Sequence, residues 1–120
     1  MNTRNKWDLL YHLVFGTKSK AAFLTPEVIT DLQLLFAIKV KELRGDILAC
    51  GGHEDHVHLL VSMPPRVSVS ELVKNLKGYS SFMRPDIIWQ RGFGAFTVDR
   101  RSVDAIIKYI QNQENHHGRK

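Results

Sequence analysis

Cysteine, low-complexity stretches and long apolar runs are all scarce in this sequence of 120 residues. Cys50 is the only cysteine, which excludes an intramolecular disulfide and favours a reducing compartment. No apolar run approaches the roughly 20 residues of a membrane-spanning helix, and the first residues lack the apolar core and cleavage site of a secretion signal. We therefore expect a cytoplasmic protein with no membrane partner.

The composition predicts one globular domain spanning residues 1–120. Apolar residues make up 43% of the chain and charged residues 24%, an ordinary balance for a folded protein. Seventeen lysines and arginines against twelve acidic residues give a formal net charge of +5. A polyanion such as nucleic acid suits this charge, although many small soluble proteins are as basic.

The first half of the chain reads as strand, helix, strand, strand. Residues 7–17 are rich in aromatic and branched side chains and predict a strand. Thr25, followed by proline, is a helix-start signal, and Gly45 is placed to end that helix. Two short apolar runs at 47–50 and 56–63, separated by glycines and a polar break, predict a hairpin.

The second half reads as helix, strand, helix. Ser68 and Glu71 have the spacing of a capping box, which predicts a helix over about 69–84. Residues 93–98 predict a fourth strand, and a last helix begins at Ser102. The order matches an α+β, ferredoxin-like βαββαβ antiparallel sheet with helices on one face and an additional C-terminal helix.

The densest group of metal-ligating side chains lies at the second strand of the hairpin. Side chains alternate along a strand, so His56 and His58 point to the same face while Val57 points to the other. Two imidazoles can bind one divalent cation, and manganese accepts a mixed nitrogen and oxygen shell. Zinc fits less well, since it usually takes a cysteine or a third ligand at definite spacing; His53 is a candidate for that position. The same pattern also occurs on solvated strands.

Tyr109 and Gln113 lie one turn apart on the last predicted helix, beside its apolar stripe. Their hydroxyl and amide groups could approach one ion or one phosphate, although a packing tyrosine and a surface glutamine give the same pattern. A phenol is a poor nucleophile at pH 7. A metal ion at the histidine pair would help by neutralising charge on the phosphate under attack.

Five sequence blocks together resemble the single-tyrosine HUH transposases of small insertion sequences and their relatives associated with repetitive extragenic palindromes. The resemblance runs over about residues 7–117, nearly the whole chain. The blocks are Tyr11-His12-Leu13-Val14-Phe15 with Thr17-Lys18, Asp55-His56-Val57-His58-Leu59-Leu60, Lys77-Gly78-Tyr79-Ser80-Ser81, Trp89-Gln90-Arg91-Gly92-Phe93-Gly94-Ala95-Phe96 and Tyr109-Ile110-Gln111-Asn112-Gln113.

The resemblance implies a metal-dependent enzyme acting on single-stranded DNA. His56 and His58 would bind Mg²⁺ or Mn²⁺, Gln113 would complete the protein ligands, and Tyr109 would attack a phosphate to leave a 5′-phosphotyrosine link and a free 3′-hydroxyl. Members of the family are homodimers that recognise a DNA hairpin near the end of the element. In several of them the tyrosine helix reaches the metal site of the other subunit.

Two features depart from the family pattern. Phe93 stands where relatives often have tyrosine, which should matter little to packing. The sequence stops three residues after His117, whereas many relatives continue further. If that tail helps to place the last helix, the activity or the dimer is expected to differ.

Several aromatic and basic side chains are candidates for contact with DNA. Three aromatic side chains could stack on unpaired bases and six basic ones could bind phosphates, although packing or solvated roles are as common. The aromatic residues are Tyr79, Phe82 and Trp89, and the basic residues are Lys74, Lys77, Arg84, Arg91, Arg100 and Arg101. The alternatives to a transposase are a domesticated palindrome-binding nickase, a non-catalytic nucleic-acid-binding ferredoxin-like module and a small metal-binding sensor domain.

Overall fold

The computed structural model describes residues 6–18 and 24–113 of the chain. Within these residues the chain forms four β-strands, three α-helices and one short 3-10 turn that leads into the last helix. The elements are β1 Leu10–Gly16, α1 Pro26–Glu42, β2 Asp46–His53, β3 His56–Ser62, α2 Val69–Met83, β4 Gly94–Thr97, the turn Arg100–Ser102 and α3 Val103–Gln111. None of the described helices is long and apolar enough to cross a membrane.

The four strands form one antiparallel sheet in the order β2-β3-β1-β4. The predicted α+β class, the hairpin of β2 and β3 and the ferredoxin-like order are therefore confirmed. β1 and β3 lie side by side in the middle of the sheet, and His12 of β1 is opposite both Leu60 of β3 and Phe96 of β4. This register decides which side chains meet on each face.

The helices divide between the two faces of the sheet. α1 and α2 pack over a core that includes Phe36, Leu59 and Leu72. α3 packs on the opposite face, against β2 and β3, and buries Val103 and Ile110 there. The additional C-terminal helix thus covers one half of the second face, while β4 lies at the sheet edge with mostly exposed residues.

Helix caps form where the sequence predicts them. The Thr25 hydroxyl accepts a hydrogen bond from the backbone N–H of Val28, and the Ser68 hydroxyl accepts one from Glu71. Each cap satisfies a backbone donor that the first turn of a helix leaves without a partner. Ser102 makes no such bond; Asp99 instead caps the short turn before it, by accepting from the N–H of Arg101.

Several predicted boundaries were wrong by a few residues. β1 begins at Leu10 rather than at residue 7, because the last strand pair joins Leu10 to Ser62 and two prolines follow on the partner strand. β2 runs through the glycines to His53, since β3 pairs with it over its full length. Arg44, not Gly45, takes the left-handed conformation after α1, with φ of 68°.

Candidate active site

Two histidines on β3 point to the face of the sheet that α3 covers. The ring centroids of His56 and His58 lie 5.1 Å apart. His58 is buried, and the His56 side chain keeps 23% of its surface exposed. Val57, between them, packs into the opposite core under α1 and α2. The alternation of the strand therefore brings both imidazoles to one place, as the sequence analysis expects.

Asp55, at the start of β3, fixes the orientation of the His56 ring. Its Oδ1 atom lies 2.9 Å from His56 Nδ1, so that the ring N–H donates to the carboxylate. The Asp55 backbone is itself held, since its carbonyl accepts a hydrogen bond of 2.8 Å from the Thr17 N–H. This contact directs the other ring nitrogen, Nε2, towards α3, in the way a carboxylate orients a histidine ligand of a metal.

Gln113 closes the site from the end of α3. Its side chain is 1% exposed, so it is a buried polar group and not a surface residue. The amide nitrogen donates to the Tyr109 carbonyl at 3.3 Å, which turns the amide oxygen towards His56 Nε2 at 3.4 Å. When Nδ1 of His56 carries the ring proton, Nε2 and this oxygen are both acceptors. Two facing acceptors suit a proton or a cation between them.

The Tyr109 ring lies against the same histidine cluster. Its centroid is 5.6 Å from the His58 ring, in an edge arrangement, and the residue is 46% exposed. Tyr109 therefore contacts the site with one side of its ring while a substrate can still reach it from solvent. Residues separated by about fifty positions in sequence thus meet because α3 packs across β3.

His12 of β1 is a member of this cluster that the sequence analysis does not select as a site residue. Its Nε2 atom lies 2.9 Å from His58 Nδ1, and its ring centroid is 6.1 Å from Tyr109. Burial lowers the pKa of His12, which favours its neutral ring. In the tautomer in which His12 Nε2 accepts a hydrogen bond from the Nδ1–H of His58, the lone pair of His58 lies on Nε2. His12 reaches the cluster because β1 pairs with β3, and this pairing cannot be read from the linear sequence.

Few side chains near the two histidines could serve as metal ligands. Among the residues that the structure describes, no group of three or more His, Cys, Asp or Glu side chains could hold a metal ion. A cation would therefore need the Gln113 amide oxygen besides the imidazoles. The Nε2 atom of His53 lies 3.6 Å from Oε2 of Glu54. Burial raises the pKa of the Cys50 thiol to about 12, which keeps this thiol protonated and unreactive.

Comparison with known proteins identifies the family of this chain. The family model described as transposase IS200-like matches residues 5–113. The chain belongs to this transposase family. It is 30% identical over 129 residues to the ISDra2 transposase TnpA of Deinococcus radiodurans, covering 91% of this chain and 86% of that protein. It is 28% identical over 120 residues to the IS200 transposases of Salmonella typhimurium and Salmonella typhi, covering 90% of this chain and 78% of each.

Two solved structures share the fold of this IS200-like transposase. A chain from Deinococcus radiodurans R1, assigned as a transposase, superimposes with a TM-score of 0.73 at 25% identity, over 95% of this chain and 97% of that one. A REP-associated tyrosine transposase, solved bound to a REP hairpin, gives a TM-score of 0.74 at 15% identity, over 98% of this chain and 75% of that one. The second similarity supports the fold alone.

Three of the six basic residues proposed for DNA contact are engaged in ion pairs in this IS200-like transposase. Each guanidinium faces at least one carboxylate. The hydrogen bonds that the guanidinium groups donate lower the pKa of Asp8, Asp86 and Asp99. Such exposed pairs are weak, so a phosphate can compete for them. The pairs are Arg84 with Asp31 and Asp86, Arg100 with Asp8, and Arg101 with Asp99.

The other three basic residues lie near one groove. Lys77 donates to the carbonyls of Gln90 and Gly92, both at 2.7 Å, and burial lowers its pKa. It therefore holds the segment before β4 in place. Lys74 and Arg91 line the same groove between α2 and this segment, and neither forms an ion pair with any part of the chain that the structure describes.

The three aromatic residues proposed for base stacking have different surroundings. Trp89 packs against Phe15, with centroids 4.9 Å apart, and its indole N–H donates to the Ser80 hydroxyl. Its ring is therefore part of the core. Tyr79 is half-buried, whereas Phe82 is 79% exposed on α2.

Gly51 of β2 decides how closely α3 approaches the sheet, and it gives a first prediction. A Cβ atom at this position would lie 2.6 Å from the Ile110 carbonyl oxygen, which is backbone. Gly51→Ala should therefore displace α3 and with it Tyr109 and Gln113. We expect DNA cleavage to fall by about 100-fold, the typical effect of a 1 Å misplacement, measured as the initial rate at saturating DNA.

Gly78→Ala provides the matched control for Gly51→Ala. Gly78 lies inside α2, and a Cβ atom there would meet nothing within 4 Å. Alanine is favoured over glycine in a helix by about 1 kcal/mol, so this variant should unfold at a slightly higher temperature and cleave normally. Equal rates for the two variants would show that α3 does not need this close approach.

Proposed function

We propose that the protein cleaves and rejoins single-stranded DNA at the ends of an insertion sequence through a covalent 5′-phosphotyrosine intermediate on Tyr109. The observation that carries the proposal is the convergence of the Tyr109 ring on His58, beside His56 and Gln113. A helix and a strand far apart in sequence supply these groups, and their types match nucleophile and metal ligands.

A divalent cation, Mg²⁺ or Mn²⁺, would be held by His56, His58 and Gln113. The donor set fits, because two imidazole nitrogens and one amide oxygen form the mixed shell that such ions accept. Asp55 and His12 support this assignment, since each contacts the Nδ1 atom of one of the two rings. When bound, the ion neutralises charge on the scissile phosphate and orients it for in-line attack.

The residues of the chain account for the remaining steps. The hydroxyl of Tyr109, a half-exposed residue, forms a bond to phosphorus and gives up its proton to solvent, while the bond from phosphorus to the 3′-oxygen breaks. The departing oxygen takes a proton and becomes a free 3′-hydroxyl. Attack by the 3′-hydroxyl of another strand end on the phosphotyrosine rejoins the DNA and restores the phenol.

The DNA partner is proposed to be a single strand that carries a hairpin, and the active form a homodimer. The REP-associated relative is bound to a REP hairpin, and the net charge of +5 suits a phosphate backbone. A palindrome-binding nickase would use the same site and chemistry without mobilising an element. A non-catalytic binding module would have the DNA contacts without the covalent step.

Formation of a protein–DNA adduct tests the covalent step. The full chain is incubated with labelled single-stranded DNA from both flanks of its gene, with Mn²⁺, with Mg²⁺ or with EDTA, and the products are separated under denaturing conditions. We expect an adduct that resists denaturation and forms only with the cation. Salt-sensitive hairpin binding without any adduct would contradict the proposal and favour the binding module.

A further inference from the structure

An exposed phenylalanine extends the active-site cluster towards the edge of the sheet. Phe96 of β4 is 58% exposed, although it lies in the middle of a sheet strand. It pairs with His12 in the β1–β4 register, and the two ring centroids are 6.1 Å apart. His12 in turn lies 6.1 Å from Tyr109. Phe96, His12 and Tyr109 therefore follow one another across a single face.

The Phe96 ring lies over the backbone of Gly94. A Cβ atom at Gly94 would lie 3.3 Å from Phe96 Cε2, so the ring rests above this glycine, where a side chain would crowd it. α3 packs on β2 and β3, and the residues of β4 beyond it are mostly exposed. His12 is an aromatic neighbour of the Phe96 ring on one side, and the exposed remainder of the ring is accessible to a flat partner.

We infer that Phe96 is the stacking platform for an unpaired nucleobase next to the phosphate that Tyr109 attacks. The inference rests on the proposed function and adds a substrate contact to it. A strand that presents its phosphate at Tyr109 and continues over β1 and β4 brings a neighbouring base above this ring.

A nucleobase fits this position better than other flat groups for two reasons. Every base has a π-face, so stacking needs no matched hydrogen-bond donors, and the exposed Phe96 ring offers the complementary apolar face. A phenylalanine side chain also has only two rotatable bonds, and His12 already lies beside this ring. Little side-chain entropy is therefore lost when a base stacks.

The test measures DNA affinity in a Tyr109→Phe background, which keeps the strand intact. The probe is a labelled single-stranded oligonucleotide from the gene flanks, and binding is followed by fluorescence anisotropy with Mg²⁺ present. Phe96→Leu should raise Kd by about ten-fold, within the range measured for loss of one base–aromatic stack. Phe96→Tyr, which keeps a ring, should rescue the affinity. The matched control is Met83→Ala, which removes an exposed apolar side chain from α2 instead of from β4.

Abasic substitutions then identify the stacked base. One base at a time is removed on either side of the cleavage position, and Kd is measured for the protein with Phe96 and for the Phe96→Leu variant. With Phe96 present, one abasic position should weaken binding by the same factor as Phe96→Leu. In the Phe96→Leu protein that position should have no further effect, because the stack is already lost.

Each result distinguishes this inference from the proposed function. If the chain with Tyr109 intact forms the adduct but Phe96→Leu leaves Kd unchanged, the stacking inference is wrong and the covalent mechanism stands. If no adduct forms while Phe96→Leu and one abasic position weaken binding non-additively, the stack stands without the mechanism. A Phe96→Leu protein with altered oligomeric mass and unaltered DNA affinity would assign the ring to a subunit contact and overturn the inference.

Discussion

Tyr109→Phe should abolish the covalent protein–DNA adduct, with a loss of roughly 10³-fold or more in the rate of cleavage. The substitution removes one oxygen atom and keeps the ring that contacts His12 and His58. Because Tyr109 is 46% exposed, the fold should not depend on the hydroxyl. The adduct is measured by denaturing electrophoresis, and the thermal unfolding midpoint of the variant should match that of the parent.

The two other tyrosines of the chain serve as matched controls for this substitution. Tyr11 lies on β1 and packs against the core under α1 and α2, and Tyr79 lies on α2. Tyr11→Phe and Tyr79→Phe each remove the same oxygen and should keep the adduct. An adduct that persists in Tyr109→Phe, or that disappears in a control of unchanged stability, would contradict the role of Tyr109.

Removing either histidine of β3 should cause the second large effect, the loss of the response to divalent cations. Replacing an outer partner of a metal ligand typically weakens metal binding by about 10–100-fold, and replacing a ligand itself should cost at least as much. We therefore expect His58→Ala and His56→Ala to need at least that much more Mn²⁺ for half-maximal cleavage. The measurement is a Mn²⁺ titration of the initial cleavage rate.

Thermal unfolding provides a readout of cation binding that does not depend on cleavage. A ligand that binds only the folded state stabilises it, by about 2.7 kcal/mol at 100 times its Kd. Mn²⁺ should raise the unfolding midpoint of the parent and raise that of both variants much less at the same concentration. Because His58 is buried, its replacement could also destabilise the fold. His56 is partly exposed, so the His56→Ala variant should fold and still test cation binding. A parent-like Mn²⁺ shift in both variants would rule out these ligands.

The parts of the fold that depend on local sequence could be predicted. The caps at Thr25 and Ser68, and the alternation that places His56 and His58 on one face, involve residues within a few positions of one another. The errors arose where distant contacts decide the conformation. The close approach of Ser62 and Met63 explains why Gly45 is required beside the helix end, while Arg44 takes the left-handed conformation.

The composition of the site was predicted only in part for the same reason. Helical spacing places Gln113 beside Tyr109, but its burial to 1% follows from the packing of α3 on the sheet. His12 enters the cluster through the pairing of β1 with β3, which no local pattern reveals. The part of the family resemblance that covers residues 114–117 lies outside the described residues.

The ion pairs of the basic residues show a further limit of sequence reasoning. Positive charge alone makes Arg84 and Lys77 equivalent candidates for phosphate contact. In the structure Arg84 pairs with two carboxylates, whereas Lys77 donates to two backbone carbonyls. The charge pattern therefore indicates a class of partner, whereas the contacts of each basic residue follow from the fold.

The polarity of the covalent linkage is the most direct test of the central claim. Single-stranded DNA carrying a different label at each end is incubated with the protein and Mn²⁺, and the adduct is digested with trypsin and mapped by mass spectrometry. We expect that the 3′ label stays with the protein, that the modified peptide contains Tyr109, and that the released 5′ fragment ends in an extendable 3′-hydroxyl. A link to the 5′ fragment, or to any other residue, would contradict it.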